Sequence, residues 1–157
     1  MEILIRSLNK LDLPQVMAIQ RQNPSASQWK ETDYASLIGP PGNLGLVAAE
    51  EGQPGTISGF AVLRQVADEA ELLNLAVASS CKRRGVGRAL IRESIQRLAQ
   101  SHARRIFLEV RASNHSALTL YTSMGFQRQS LRKEYYQDPC EDGLVLSLAL
   151  PILPLRE

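Results

Sequence analysis

Two periods of apolar residues run through this chain and trade places along it. In Arg105–Arg111, Ile106, Leu108 and Val110 alternate with Arg105, Phe107, Glu109 and Arg111, which predicts a strand with one buried face. After Gly85 the period changes. Val86, Leu90, Ile91, Ser94, Ile95 and Leu98 fall on one side and Arg92, Glu93, Gln96 and Arg97 on the other, predicting a helix from Val86 to Ala99. The same reading gives strands at Glu2–Leu8, Leu44–Glu50, Thr56–Gln65, Ala70–Val77, Phe126–Gln137 and Leu144–Leu150. Gly52-Gln53-Pro54-Gly55 folds the second and third of these into a hairpin. Asp12 is the expected cap of a helix reaching Gln22, with Pro14 in its first turn. A second helix is expected from Ser27 to Leu37, closed by Gly39-Pro40-Pro41-Gly42, and a short one capped by Ser113 that stops before Gly125. Strands alternating with helices predict an α/β domain.

Composition narrows the class. A chain of 157 residues with 44% hydrophobic content suits one domain, expected over residues 1–150, with a tail at 151–157. No apolar run approaches the ~20 residues of a membrane span, and no signal-peptide pattern opens the chain. Two cysteines, Cys81 and Cys140, do not make a disulfide framework, so a reducing cytoplasm is the expected setting. The net charge of +2 does not argue for direct nucleic-acid binding. Arginines outnumber lysines 14 to 4, with a concentration over residues 82–111. His102 and His115 form no ligand cluster with the cysteines, so no metal is expected.

The densest chemistry lies at Lys82-Arg83-Arg84-Gly85-Val86-Gly87-Arg88, between the apolar strand Leu72–Val77 and the helix. Glycine lets backbone turn tightly and approach a ligand. The first N–H groups of a helix are unpartnered and carry the positive end of its dipole, a setting for a diphosphate. By itself the turn also fits an ordinary solvated basic loop. It is not a P-loop, which needs four residues between its glycines and then Gly-Lys-Ser/Thr. It is not a dinucleotide fingerprint either, since the third glycine position is the large Leu90 or Ile91.

The turn matches the pattern Gln/Arg-x-x-Gly-x-Gly/Ala, with Lys82 where Gln or Arg is usual. On this motif the chain resembles the GCN5-related N-acetyltransferase (GNAT) family. Leu108-Glu109-Val110-Arg111-Ala112-Ser113-Asn114, Ala117-Leu118, Leu120-Tyr121 and Met124-Gly125-Phe126 extend the resemblance. Glu71-Leu72-Leu73-Asn74-Leu75-Ala76-Val77, with Tyr135-Tyr136 and Glu141-Asp142, is similar to the bacterial ribosomal-protein-alanine branch (RimI type). The resemblance is concentrated over residues 71–150.

The resemblance implies a GNAT fold: a mixed, mostly antiparallel sheet flanked by helices and splayed between the strands of residues 70–77 and 105–111. It implies acetyl-coenzyme A as co-substrate, held by Leu75, Ala76, Val77, Arg83, Arg84, Gly85, Val86, Gly87, Arg88 and Asn114. It implies direct transfer to the N-terminal amine, an alanine, of a ribosomal small-subunit protein, with Trp29, Tyr135 and Tyr136 around that terminus and Glu141 and Asp142 drawing its charge. Tyr121 would protonate the departing thiolate. Asn114 and Tyr121 are seven residues apart and so share a helix face, although an aromatic at that spacing also suits a core. Glu109 reads either as the base or as a structural partner of Arg111; Glu71 is its rival as base. A backbone N–H near Leu75–Val77 would stabilise the oxyanion. Two other readings remain at this stage: acetylation of lysines or small amines, and a non-catalytic acyl-coenzyme A binding or partner-docking module.

Overall fold

A computed structural model describes residues 2–152. The elements run β1 (Ile3–Ser7), α1 (Leu13–Arg21), α2 (Glu31–Leu37), β2 (Asn43–Glu50), β3 (Gln53–Val66), β4 (Glu69–Val77), α3 (Val86–Gln100), β5 (Arg105–Arg111), α4 (His115–Ser123), β6 (Gln127–Tyr136) and β7 (Glu141–Ala149). They form one seven-stranded sheet in the order β1-β2-β3-β4-β5-β7-β6. All neighbours are antiparallel except β4 and β5, whose parallel pairing needs a crossover that α3 supplies. The expected mixed, mostly antiparallel sheet is therefore present. The tail beyond residue 152 lies outside the described residues.

Each face of the sheet buries its own apolar set. Leu46, Leu63, Leu72, Ile106 and Leu108 pack with Leu90, Ile91 and Leu98 of α3. Val47, Phe60 and Val62 pack with Val16 and Ile19 of α1 and Tyr34 of α2. The helical stripe read from the sequence is the buried stripe of α3, at about 2 kcal/mol for each large side chain removed from water.

Three helix starts differ from expectation. Asp12 does not cap α1. Asn9 caps a short 3-10 turn at Lys10–Asp12, accepting from the Leu11 N–H at 2.9 Å. The Asp12 carboxylate instead takes two bonds from Arg6, at 2.7 and 2.8 Å, and one from the Asn9 N–H at 2.9 Å. α2 begins at Glu31, not Ser27, because the carbonyls of Ser27 and Trp29 are engaged by side chains outside the helix. Asp33 reaches back to the Lys30 N–H at 2.9 Å and closes that start. Asn114, not Ser113, caps α4, accepting from the Ala117 N–H at 3.2 Å, while the Ser113 hydroxyl donates to Glu141 at 3.0 Å. The hairpin turn is also shorter than read: Glu50 pairs with Gln53, so Gln53–Gly55 belong to β3.

Candidate active site

The parallel ladder between β4 and β5 lasts four pairs, from Glu69 with Arg105 to Leu72 with Leu108. Beyond it the strands diverge, and the gap becomes the site. A bulge drives the divergence. Val62 pairs with Asn74 but Leu63 pairs with Leu72, so β4 carries an extra residue at Leu73. Past the bulge the Ala78 N–H bonds the Ser58 carbonyl at 2.8 Å, on the β3 side. Alternation along the strand then directs the N–H groups of Leu75 and Val77 into the gap. A cleft of about 1060 Å³ opens there. It runs from the basic turn, past Leu72–Val77 and the start of α4, to Trp29 and the Tyr136–Asp138 loop.

At the turn, Arg83 and Gly85 adopt left-handed backbone, with φ of 64° and 82°. Such residues beside ordinary ones form a concave nest of N–H groups suited to an anion. Gly85 is required by conformation alone, since an added Cβ would meet nothing within 4 Å. Gly87 differs. It is buried, and an added Cβ would lie 3.0 Å from Leu120 Cδ2 in α4. Leu75, Ala76, Val77, Arg83, Gly85, Val86, Gly87, Arg88 and Asn114 all line the cleft, as does Lys82. Arg84 does not. The reversal at Arg83 and Gly85 turns it into a shallow depression beside Glu2, Ile3 and Glu50.

Glu109 and Tyr121 both line the cleft, from β5 and α4, whereas Glu71 lies outside the lining. The pairing with Arg111, one of the two readings of Glu109, does not occur. Glu109 lies 3.4 Å from the Arg132 guanidinium, and both are partly exposed. Arg111 turns away to Glu141 at 3.1 Å and to the carbonyls of Pro139 and Gln137, with its guanidinium 4.5 Å over the Tyr136 ring. Tyr121 is 7% exposed and packs on Phe126 at 5.5 Å. Its hydroxyl has no hydrogen-bond partner among the described residues. Burial pushes the phenol well above its ordinary range, so it holds its proton. Asn114 lines the same cleft; helix capping uses its oxygen and leaves the Nδ2 donors.

On the acceptor side, Trp29 and Tyr136 line the cleft. Tyr135 does not, although its ring packs edge to face on that of Tyr136, with centroids 5.1 Å apart. It stands 45% exposed, 5.2 Å from the Arg132 guanidinium, with the Glu109 carboxylate raising its phenol. Burial, then Glu109, pushes Tyr136 up to about 12. The carboxylates expected to draw a cationic terminus are engaged within the protein. Glu141 holds Arg111 and Ser113, and Asp142 accepts from the Glu134 N–H at 2.9 Å. Bonds from Ser113 and Arg111 hold the Glu141 carboxyl below its usual range.

The sequence reading missed a buried polar chain behind the acceptor wall, formed by Gln20, Tyr34 and Asn74. The signal was an asparagine inside the apolar run Leu72–Val77, since a buried amide must find partners.

A splayed sheet with an anion nest at one end and a carboxylate and a neutral phenol along its walls is the framework of an acyl-transferring enzyme. The sequence model of the acetyltransferase (GNAT) family matches residues 11–126, and the chain belongs to that family of N-acetyltransferases, which draw their acetyl group from acetyl-coenzyme A. The chain is 38% identical over 150 residues to the ribosomal protein bS18-alanine N-acetyltransferase of Escherichia coli strain K12, covering 94% of this chain and 97% of the relative. It is 30% identical over 142 residues to a putative enzyme of the same name in Bacillus subtilis strain 168, covering 90% and 92%. The crystal structure of the ribosomal-protein-S18-alanine N-acetyltransferase from Escherichia coli superposes with a TM-score of 0.84 at 34% identity, covering 98% of this chain and 97% of that one. Among the described residues, no helix is long and apolar enough to cross a membrane.

Proposed function

We propose that this enzyme acetylates the N-terminal alanine of ribosomal protein bS18 in the cytoplasm, by direct transfer from acetyl-coenzyme A. The observation that carries the reading is the placement of Glu109 and the neutral Tyr121 along one cleft that also holds the anion nest. The names of relatives 38% and 30% identical over most of their length support the acceptor.

The nest at Arg83–Gly87, the unpartnered N–H groups opening α3, and the cations of Lys82, Arg83 and Arg88 fit a diphosphate. Arg88 also donates to Ser123 at 2.8 Å, which ties α3 to α4 across the cleft. The Val77 N–H and the Nδ2 of Asn114 fit the amide carbonyls of a pantetheine arm. Acetyl-coenzyme A supplies the thioester; the remaining work belongs to side chains of this chain. An α-amine with a pKa near 8 is mostly protonated at neutral pH and must lose a proton to attack. Glu109, directly or through a water, takes it. The Leu75 N–H stabilises the oxygen on which negative charge develops. Tyr121 gives its proton to the departing sulfur, which balances the proton that Glu109 removes. Metal chemistry plays no part in the proposed route.

The test uses a peptide beginning Ala-Arg, and the same peptide with a blocked N-terminus and an internal lysine. Mass spectrometry is expected to find the acetyl group on the free α-amine and far slower reaction of the blocked peptide. Equal or faster turnover of the blocked peptide or of a polyamine would replace this reading with a general amine acetyltransferase.

A further inference from the structure

The loop between α1 and α2 walls the acceptor side of the cleft through Ser27, Gln28 and Trp29. Two separate sets of bonds fasten it to β4. Nearer the basic turn, the Asn23 amide donates to the Val77 carbonyl at 3.0 Å, and the Ser79 N–H donates to Gln22 Oε1 at 2.8 Å. At the acceptor end, Asn74 Nδ2 donates to the Ser27 carbonyl at 3.0 Å and to the Tyr34 hydroxyl at 2.8 Å. The Tyr34 hydroxyl donates to Gln20 Oε1, and Gln20 Nε2 donates to the Trp29 carbonyl at 2.7 Å. Asn74 Oδ1 accepts from the Leu75 N–H at 3.1 Å, the donor assigned above to the reacting oxygen.

Every donor in this chain of bonds has one direction. Both Asn74 N–H groups are used, the single Tyr34 proton goes to Gln20, and the Gln20 amide nitrogen faces a carbonyl. Tyr34 is 0% exposed, Gln20 3% and Asn74 6%, so water cannot replace a lost partner cheaply. The ends of the chain are not core atoms. They are the carbonyls of Ser27 and Trp29, two residues apart on the wall that meets the acceptor.

We propose that Asn74, Tyr34 and Gln20 are positioning residues that set the acceptor wall against the acyl-binding strand and so select a small first residue. Asn74 couples the two sides, since its one amide holds the Ser27 carbonyl and the Leu75 N–H together. The inference rests on the N-terminal acetyltransferase reading. It adds to that reading the residues that fix the size of the slot.

Tyr34→Phe tests it with least damage. The ring keeps its contacts with Trp29, at 5.1 Å, and Phe60, at 5.5 Å, and only the relay oxygen is lost. Asn74→Leu is the second variant. Steady-state kinetics are measured on peptides beginning Ala-Arg and Leu-Arg, with acetyl-coenzyme A varied separately. In Tyr34→Phe the KM for the alanine peptide is expected to rise about tenfold, the factor carried by about one net hydrogen bond of the wall. The preference for alanine over leucine should shrink by a similar factor, with KM for acetyl-coenzyme A unchanged. A purely structural role would lower kcat and weaken both substrates while leaving the alanine preference intact. That result, or an unchanged preference in a folded Tyr34→Phe protein, overturns the inference. A wild-type enzyme inactive on both free N-termini would instead overturn the functional reading beneath it.

Discussion

Replacing Tyr121 with phenylalanine separates catalysis from folding at one atom. The hydroxyl bonds to no described residue, and the ring is 7% exposed against Phe126. Removing the oxygen therefore breaks no internal hydrogen bond and leaves no partner orphaned. Stability should stay within about 0.5 kcal/mol of wild type or rise slightly, because an apolar ring suits the site. Catalysis should move the other way. If the departing sulfur takes its proton from this phenol, kcat falls by about 10²-fold or more, or about 2.7 kcal/mol of barrier. Burial also fixes the pH behaviour of the wild type. Only the protonated phenol donates, and its titration is displaced upward, so the donor is not lost on the alkaline side until above the ordinary tyrosine range. The assay is single-turnover release of coenzyme A thiol, under conditions where chemistry limits the rate, with calorimetric acetyl-coenzyme A affinity and thermal melting in parallel. Affinity should hardly change. A folded Tyr121→Phe enzyme with near-normal kcat would return the residue to a packing role.

Two further expectations probe the cofactor turn and the fold. Gly87→Val places a branched side chain where even a Cβ would meet Leu120 at 3.0 Å, at a cost of about 1–3 kcal/mol of stability. It should abolish acetyl-coenzyme A binding in calorimetry while circular dichroism stays native; unchanged affinity would remove the turn from the binding site. At the other end, burial opposes ionisation of Asp12, but the bonds from Arg6 and the Asn9 N–H outweigh it and hold the carboxyl below its usual range. A lowered pKa means that stability is present above the unfolded value of about 4 and drains as pH falls through the folded one. Asp12→Asn should therefore lose about 2 kcal/mol at pH 7 and show a flatter acid limb in urea titrations; an equally steep limb would exclude Asp12 as its source.

The sequence by itself determined the order of elements, the faces of β5 and α3, and the basic turn, because each depends on local periodicity or backbone freedom. Ile106, Leu108 and Val110 are buried as their alternation requires, and Asn114 and Tyr121 reach one cleft from the cap of α4 and from within that helix. What it did not determine were the partners of polar groups. Arg111 sits two residues from Glu109 on one strand face, yet Glu141, thirty residues away, captures it, and Arg132 comes to Glu109 instead. Asp12, Ser113 and Ser27 looked like helix starts for local reasons, but each was claimed by a distant group: Arg6, Glu141 and Asn74. Adjacent Tyr135 and Tyr136 read as a pair, and their rings do pack together, yet only Tyr136 reaches the cleft. Whether a side chain bonds locally or across the fold depends on which long-range partner the packed sheet brings within about 3.5 Å, and only the tertiary structure supplies that distance.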